Sequence, residues 1–160
     1  MAAPAAVYPF TTFNFAVAIT RDGDSKPLCN AAFSECDGLE MTMEVKTIRE
    51  GGNNSQQPRL AGPVAYGQLT LKRGMTDSFH LWTWFNDSIG NPALRASAEV
   101  TLLASDGSTE RVRFQLRRCI PMKIKAPALN AKDGTIAIEE LQVAYEEITL
   151  TPSPANEAGT

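Results

Sequence analysis

The sequence is poor in the residues that carry chemistry: its 160 positions hold one histidine and three cysteines. His80 alone cannot build a Cys/His zinc cluster, and six residues separate Cys29 from Cys36, outside the two-to-four spacing of a metal knuckle. The odd set Cys29, Cys36 and Cys119 fits reduced thiols better than a disulfide framework, so no intrachain bridge is expected. Basic excess is missing as well. Lys and Arg number 15 against 18 Asp and Glu, a formal net charge of −3, which gives no general electrostatic footprint for nucleic acid.

Long apolar runs are also absent. No stretch approaches the roughly 18 residues of a membrane-crossing helix, so no membrane anchor is expected. The N-terminal MAAPAAVYPF has no Lys or Arg ahead of its short apolar run and does not read as an export signal, so synthesis in the cytoplasm is the expectation. No G-x-S-x-G elbow occurs, and Gly51-Gly52-Asn53-Asn54 lacks the Lys-Ser/Thr ending of a phosphate cradle. Asp77, Ser78 and His80 offer triad residue types, but neighbours on one helical turn do not face one another as a triad must. His80 reads as a packing or helix-surface residue and Asp77 as a cap. Glu139 with Glu140, and Glu146 with Glu147, are adjacent on strands and point to opposite faces, suiting solvent or interface duties. Arg111, Arg113 and Arg117 share a strand face that reads as solvated or paired between subunits. No catalytic residue, metal ligand or cofactor site is expected.

What is present is alternation. Phe13, Phe15, Val17 and Ile19 alternate with Asn14, Ala16 and Ala18, and Met41, Met43 and Val45 with Thr42, Glu44 and Lys46, the period-2 pattern of half-buried strands. Ala96 to Leu102 and Val112 to Leu116 flank Ser105-Asp106-Gly107-Ser108, which predicts a hairpin with a type I′ turn. The even phase continues through Ile120, Met122 and Ile124, with Pro121 marking a break or edge. Leu141, Val143 and Tyr145 form a last strand whose phase then moves to Ile148 and Leu150, as one inserted bulge residue near Glu146 would cause.

One helix is predicted. Thr76 or Asp77 would cap it, Phe79, Trp82, Phe85 and Ile89 would be its core face, and Gly90-Asn91-Pro92 would stop it. The implied fold is mainly β, an antiparallel sandwich or small barrel with one flanking α-helix, in a single domain over 8–151 between flexible tails at 1–7 and 152–160. Residues 47–63 form the longest stretch without periodicity, rich in Gly, Asn, Gln and Pro, and a loop of that length usually has a function or a partner. No repeat occurs at solenoid periods.

Several segments together resemble the tail tube proteins of contractile-tailed phages and, more closely, of extracellular contractile injection systems. The likeness lies in YPFTTFNF at 8–15, FSECDGLE at 33–40, MEVK at 43–46, REGGN at 49–53, GQLTLKRG at 67–74 and LWTWF at 81–85. The chain departs from the family pattern at Arg21 to Pro27 and at Ala18, which bears on subtype rather than family.

The resemblance implies a fold shared with haemolysin-coregulated protein, six-membered rings of identical copies, and stacking into a hollow tube inside a contractile sheath. Its implied partners are the same chain, the sheath protein, baseplate or spike and terminator proteins, and cargo in the lumen. On that reading Arg49, Glu50, Gly51, Gly52, Asn53, Asn54 and Arg59 make ring-to-ring contacts, while Phe10, Phe13 and Phe15 pack the first strand. The alternatives are a secreted hexameric ring of the type VI kind that carries cargo, or a small-ligand-binding β-barrel, which would need converging polar groups in a pocket.

Overall fold

The computed structural model describes residues 14–52 and 55–153, with the backbone alone at Asn30 and Ala31. Phe10, Phe13, Asn53 and Asn54, and the tails at 1–7 and 154–160, lie outside the described residues.

In chain order the elements are β1 (Phe15–Arg21), β2 (Cys29–Ala31), β3 (Glu35–Asp37), β4 (Met41–Thr47), β5 (Arg59–Tyr66), β6 (Gln68–Gly74), α1 (His80–Gly90), β7 (Ala96–Leu103), β8 (Glu110–Lys125), β9 (Ile138–Ala144) and β10 (Glu147–Pro152). All pairings are antiparallel. Eight strands make one sheet in the order β2-β1-β7-β8-β9-β6-β3, with β10 beside β8, and β4 and β5 pair separately. The outermost strands, β2 and β3, are consecutive in sequence, and the link between them spans at most about 14 Å. The sheet therefore curls until its two margins meet, giving the expected small barrel.

Its core is the inward phase of these strands: Val17 and Ile19, Leu69 and Leu71, Val100, Leu116, Leu141 and Val143. The β7–β8 hairpin forms at Asp-Gly, but with a different turn. Only Gly107 has positive φ (74°), the Gly107 N–H donates to the Ala104 carbonyl, and Asp106 Oδ1 accepts the N–H groups of Ser108 and Thr109 at 2.9 Å. These bonds, led by that of the Thr109 hydroxyl, hold the Asp106 carboxyl down at about 2.

β8 does not break at Pro121. Its first half pairs with β7 and β10, its second with β9, and pairing to β7 ends at Cys119. Beyond that point one flank is open, so a residue without an N–H is tolerated. The buried phase also shifts, to Cys119 and Pro121, leaving Met122 exposed.

The cause is a bend at Arg118, φ 54°, opposite Tyr145 and Glu146. Ile120↔Ala144 and Arg117↔Glu147 lie on one register, so β10 and β9 follow β8 through the bend, whereas Ala98↔Leu116 and Ala96↔Cys119 set Arg117 and Arg118 opposite Ser97 alone. The extra residue is a bulge of β8 against β7, and Met122 is a second one against β9. Arg118 Nε pairs with Glu146 at 2.7 Å across the bend. At the far end Pro152 pairs with Val112 and Ser153 is buried, so the tail boundary at 152 falls inside the last strand.

The helix also differs from expectation. It begins at His80, Phe79 is the N-cap without a side-chain bond, and Thr76 Oγ1 accepts the Ser78 N–H rather than capping α1. The buried face is Leu81 and Trp84, with Phe85 and Ser88 half-buried, a stripe at i, i+3, i+4 and i+7. Phe79 is exposed, Ile89 is 68% exposed, and Trp82 lies at the edge. What selects this face is a buried ion pair between Arg73 of β6 and Glu139 of β9, whose side chains are 5% and 2% exposed. Glu139 Oε2 accepts the Trp82 indole N–H at 3.0 Å, and Arg73 Nη2 donates to the Ser78 carbonyl at 3.0 Å. Arg73 also lies over the Phe33 ring. Glu139 is thus an interior anchor rather than a solvent or interface carboxylate.

Two expectations follow. Trp84→Ala should cost about 3–5 kcal/mol in chemical denaturation, while Ile89→Ala should stay within about 0.5 kcal/mol. Glu139→Ala, which strands a buried guanidinium, should cost about 3–5 kcal/mol, and the double change Arg73→Met with Glu139→Leu should recover most of that loss.

Candidate assembly surface

β4 and β5 form a ribbon that projects from the barrel. Asp37↔Thr70 is the last pair of β3 with β6 and Met41↔Tyr66 the first of β4 with β5, four residues apart on both strands. The register is therefore continuous, and β3–β4 with β5–β6 is one long hairpin whose base belongs to the barrel and whose outer part does not.

The crossing point is built from close contacts. Gly38 has φ 95°, and a Cβ there would overlap the Gln68 carbonyl oxygen; a Cβ at Gly67 would overlap Glu40 Cγ. Gly67 donates its N–H to the Glu40 carbonyl at 3.0 Å. Tyr145, at the bend between β9 and β10, ties the ribbon base to the barrel: its hydroxyl donates to the Gly38 carbonyl at 2.7 Å and accepts the Glu40 N–H at 3.1 Å. Its ring packs against Tyr66, centroids 6.0 Å apart. Burial raises the Tyr145 pKa.

Beside this root lies an open depression of about 460 Å³ lined by Asp37, Glu40, Gln68 and Thr70 among others. It is a feature of the outer surface, not the interior pocket a small-ligand barrel requires.

Pairing assigns the ribbon's two faces. Met41, Met43 and Val45 stand opposite Tyr66, Val64 and Ala61, so these six share one face, while Thr42, Lys46, Leu60 and Ala65 share the other. A bulge puts Gly62 and Pro63 across from Glu44, which keeps Val64 and Ala61 on the apolar side. The alternation read from sequence is correct, yet neither face is covered: Met41 is 63% exposed, and Met43, Val45 and Val64 are exposed beside it.

Of the predicted contact residues, Arg59, paired with Thr47, lies one step inside the Ile48 to Pro58 bond of 2.9 Å, and Arg49, Glu50, Gly51 and Gly52 gather beyond it at the exposed ribbon tip. Gly52 there has φ 93°. Phe15 sits at the start of β1, half-buried against the core. His80 is exposed at the first residue of α1. Arg113 is held by Glu110 at 2.6 Å and Glu99 at 3.6 Å within the chain. Among the described residues no disulfide forms, and no three His, Cys, Asp or Glu side chains group as for a metal. Burial raises the thiol pKa of Cys36 to about 11, helped by Asp37, and that of Cys119 to about 12. No described helix is long and apolar enough to cross a membrane. The apolar residues of the ribbon and the Tyr145 anchor went unnoticed as a site in the sequence; the signal available was the apolar alternation running straight into the aperiodic loop.

The sequence profile of the family described as T4-like virus tail tube protein gp19 matches residues 11–149. No curated protein matches the chain as a relative. Among solved structures, a chain of the anti-feeding prophage baseplate, six-fold symmetrised, superposes with TM-score 0.82 at 25% identity, covering 92% of this chain and 98% of that one. A chain of the extended sheath–tube complex of PVC, an extracellular contractile injection system, gives 0.78 at 18% identity, covering 91% and 93%. An Hcp protein gives 0.52 at 15% identity, covering 91% and 94%.

Gly38 and Gly23 both have positive φ, but only Gly38 meets a neighbour's backbone. Gly38→Ala should therefore cost about 1–3 kcal/mol more than Gly23→Ala in urea denaturation. Equal losses would mean that the close approach at the ribbon root contributes nothing.

Proposed function

The chain belongs to the family of the T4-like virus tail tube protein gp19, and from that premise we propose that it is the inner-tube subunit of a phage-tail-like contractile injection system. Six copies close into a ring, rings stack into a hollow tube, and contraction of a surrounding sheath drives the tube through a target envelope while the lumen holds or conducts cargo. The observation that carries this reading is the β4–β5 ribbon: a strand pair with one apolar face and nothing among the described residues to cover it. A two-stranded ribbon is marginal alone, and an exposed apolar face of this kind marks a surface for another molecule. An identical neighbour supplies the cover in every copy at once.

The superposed chains come from a six-fold symmetrised baseplate and from a sheath–tube complex, which supports six-membered rings and, as partners, a sheath and a baseplate; a spike, a terminator and cargo complete the proposed set. The role is mechanical, so the subunit is structural rather than catalytic. The tube domain runs from residue 8 through Ser153, and the residues Arg49, Glu50, Gly51, Gly52, Asn53, Asn54 and Arg59 contact the adjoining ring. The subunit is synthesised in the cytoplasm and resides in an assembled particle, cytoplasmic or released. A secreted ring that never polymerises shares the fold but leaves the ribbon's apolar face in water, which disfavours that reading.

Negative-stain microscopy of the purified protein should show rings and tubes. Deletion of residues 51–57 should leave folded subunits or single rings, because the ribbon loses its tip and keeps its root. Wild-type protein that runs as a compact monomer at high concentration would sink the reading; tubes of normal length from the deletion would remove the tip from it.

A further inference from the structure

The barrel has a second exposed apolar surface, at the pole opposite the ribbon. β6 begins at Gln68 beside the ribbon root and ends at Gly74, which pairs with Ile138 at the start of β9. Seven residues of strand, roughly 20 Å, therefore separate the two poles. At the far pole the loop 126–137 returns from β8 to β9, the Met75 N–H donates to the Ala137 carbonyl at 2.8 Å, and Ile136 lies over Gly74.

The loop is braced from within: Asn130 accepts the Lys132 N–H and donates to Asp133, both at 3.0 Å. On that frame Leu129 is 90% exposed and Ile136 81%, with Ile138, Met75 and Phe79 also exposed on the same pole. A loop held by its own polar bonds has no need of two aliphatic side chains standing in water. Their presence asks for a cover.

The cover must be apolar, extended and able to reach beyond its own barrel. Among the described residues the β4–β5 ribbon meets all three conditions. Ribbon against ribbon would be a two-fold contact that closes at two copies and leaves the far pole bare. Ribbon against far pole covers both surfaces and repeats without closing, since each copy gives at one end what it accepts at the other.

We propose that Leu129, Ile136 and Ile138, with Met75 and Phe79, are the seat on which the apolar face of a second copy's ribbon docks, joining successive rings head to tail. This rests on the tube reading and adds to it the surface that receives the ribbon.

The test uses the full chain. In a Cys36→Ser background, Val64→Cys places a thiol on the ribbon's apolar face and Ile136→Cys one in the seat, both at exposed positions; of the native cysteines Cys36 is half-buried, whereas Cys29 and Cys119 are buried. Oxidised together, the two variants should form mixed disulfide dimers, and one chain carrying both changes should form a ladder. A double variant, Leu129→Asp with Ile136→Asp, should keep the wild-type melting temperature and give rings without tubes.

Val64→Cys pairing chiefly with itself, or tubes of wild-type length from the aspartate variant, would overturn the seat and leave the tube reading standing. Wild-type protein that forms neither ring nor tube would overturn the tube reading and the seat with it. Should the aspartate variant fail to fold, the disulfide arm decides: tubes that form without mixed disulfides also reject the seat.

Discussion

The close approach of Gly38 to the Gln68 carbonyl divides this chain into a part that buries its side chains and a part that cannot. Up to that contact β3 and β6 run within the barrel wall; past it the same two strands, on the same register, leave the wall as β4 and β5. A main chain can pass so close only without a side chain, which is why the residue is glycine. Tyr145 then holds the departing strands from the β9 side. The direction in which the ribbon leaves is thus set by backbone sterics and one hydroxyl, and the exposure of Met41, Met43, Val45 and Val64 follows from it.

The barrel itself is organised around a polar interior contact. Arg73 and Glu139 are far apart in sequence and belong to paired strands, and between them they hold Trp82 and the Ser78 carbonyl at the start of α1. Charges so buried persist only when their hydrogen-bonding capacity is used, and here it is used on the helix. The helix is consequently docked by a directional contact at its first turn and by Leu81 and Trp84 along its length.

Much of this is legible in the sequence because period-2 alternation reports that the two faces of a strand differ. It locates β1, β4, β7, β8 and β9, and the Asp106-Gly107 pair locates a hairpin although not its turn type. What alternation does not report is what lies over the apolar face, so the β4 pattern looks the same whether the cover is the chain's own core or another molecule. The helix face was missed for a related reason. LWTWF is apolar in two phases that share Phe85, and the choice between them is made by Arg73 and Glu139, a pairing across distant strands that no local pattern encodes. The bulge lies in β8 at Arg117 and Arg118, opposite Ser97, and β9 and β10 follow it on one register, so the change of phase after Tyr145 mimics a residue inserted in the last strand. The loop that holds Arg49 to Gly52 stands out in the sequence because a long aperiodic run is conspicuous; the far-pole loop, shorter and partly apolar, does not.

The path of β8 has a further consequence. One strand of sixteen residues, bulged at Arg118 and at Met122, crosses the barrel wall, laddered to β7 and β10 over one half and to β9 over the other. Tension applied along that strand is shared among hydrogen bonds lying across the pull, so they must yield collectively rather than peel open in succession. The barrel wall is accordingly stiffest along the axis of its longest strand, a mechanical anisotropy written into the pairing pattern.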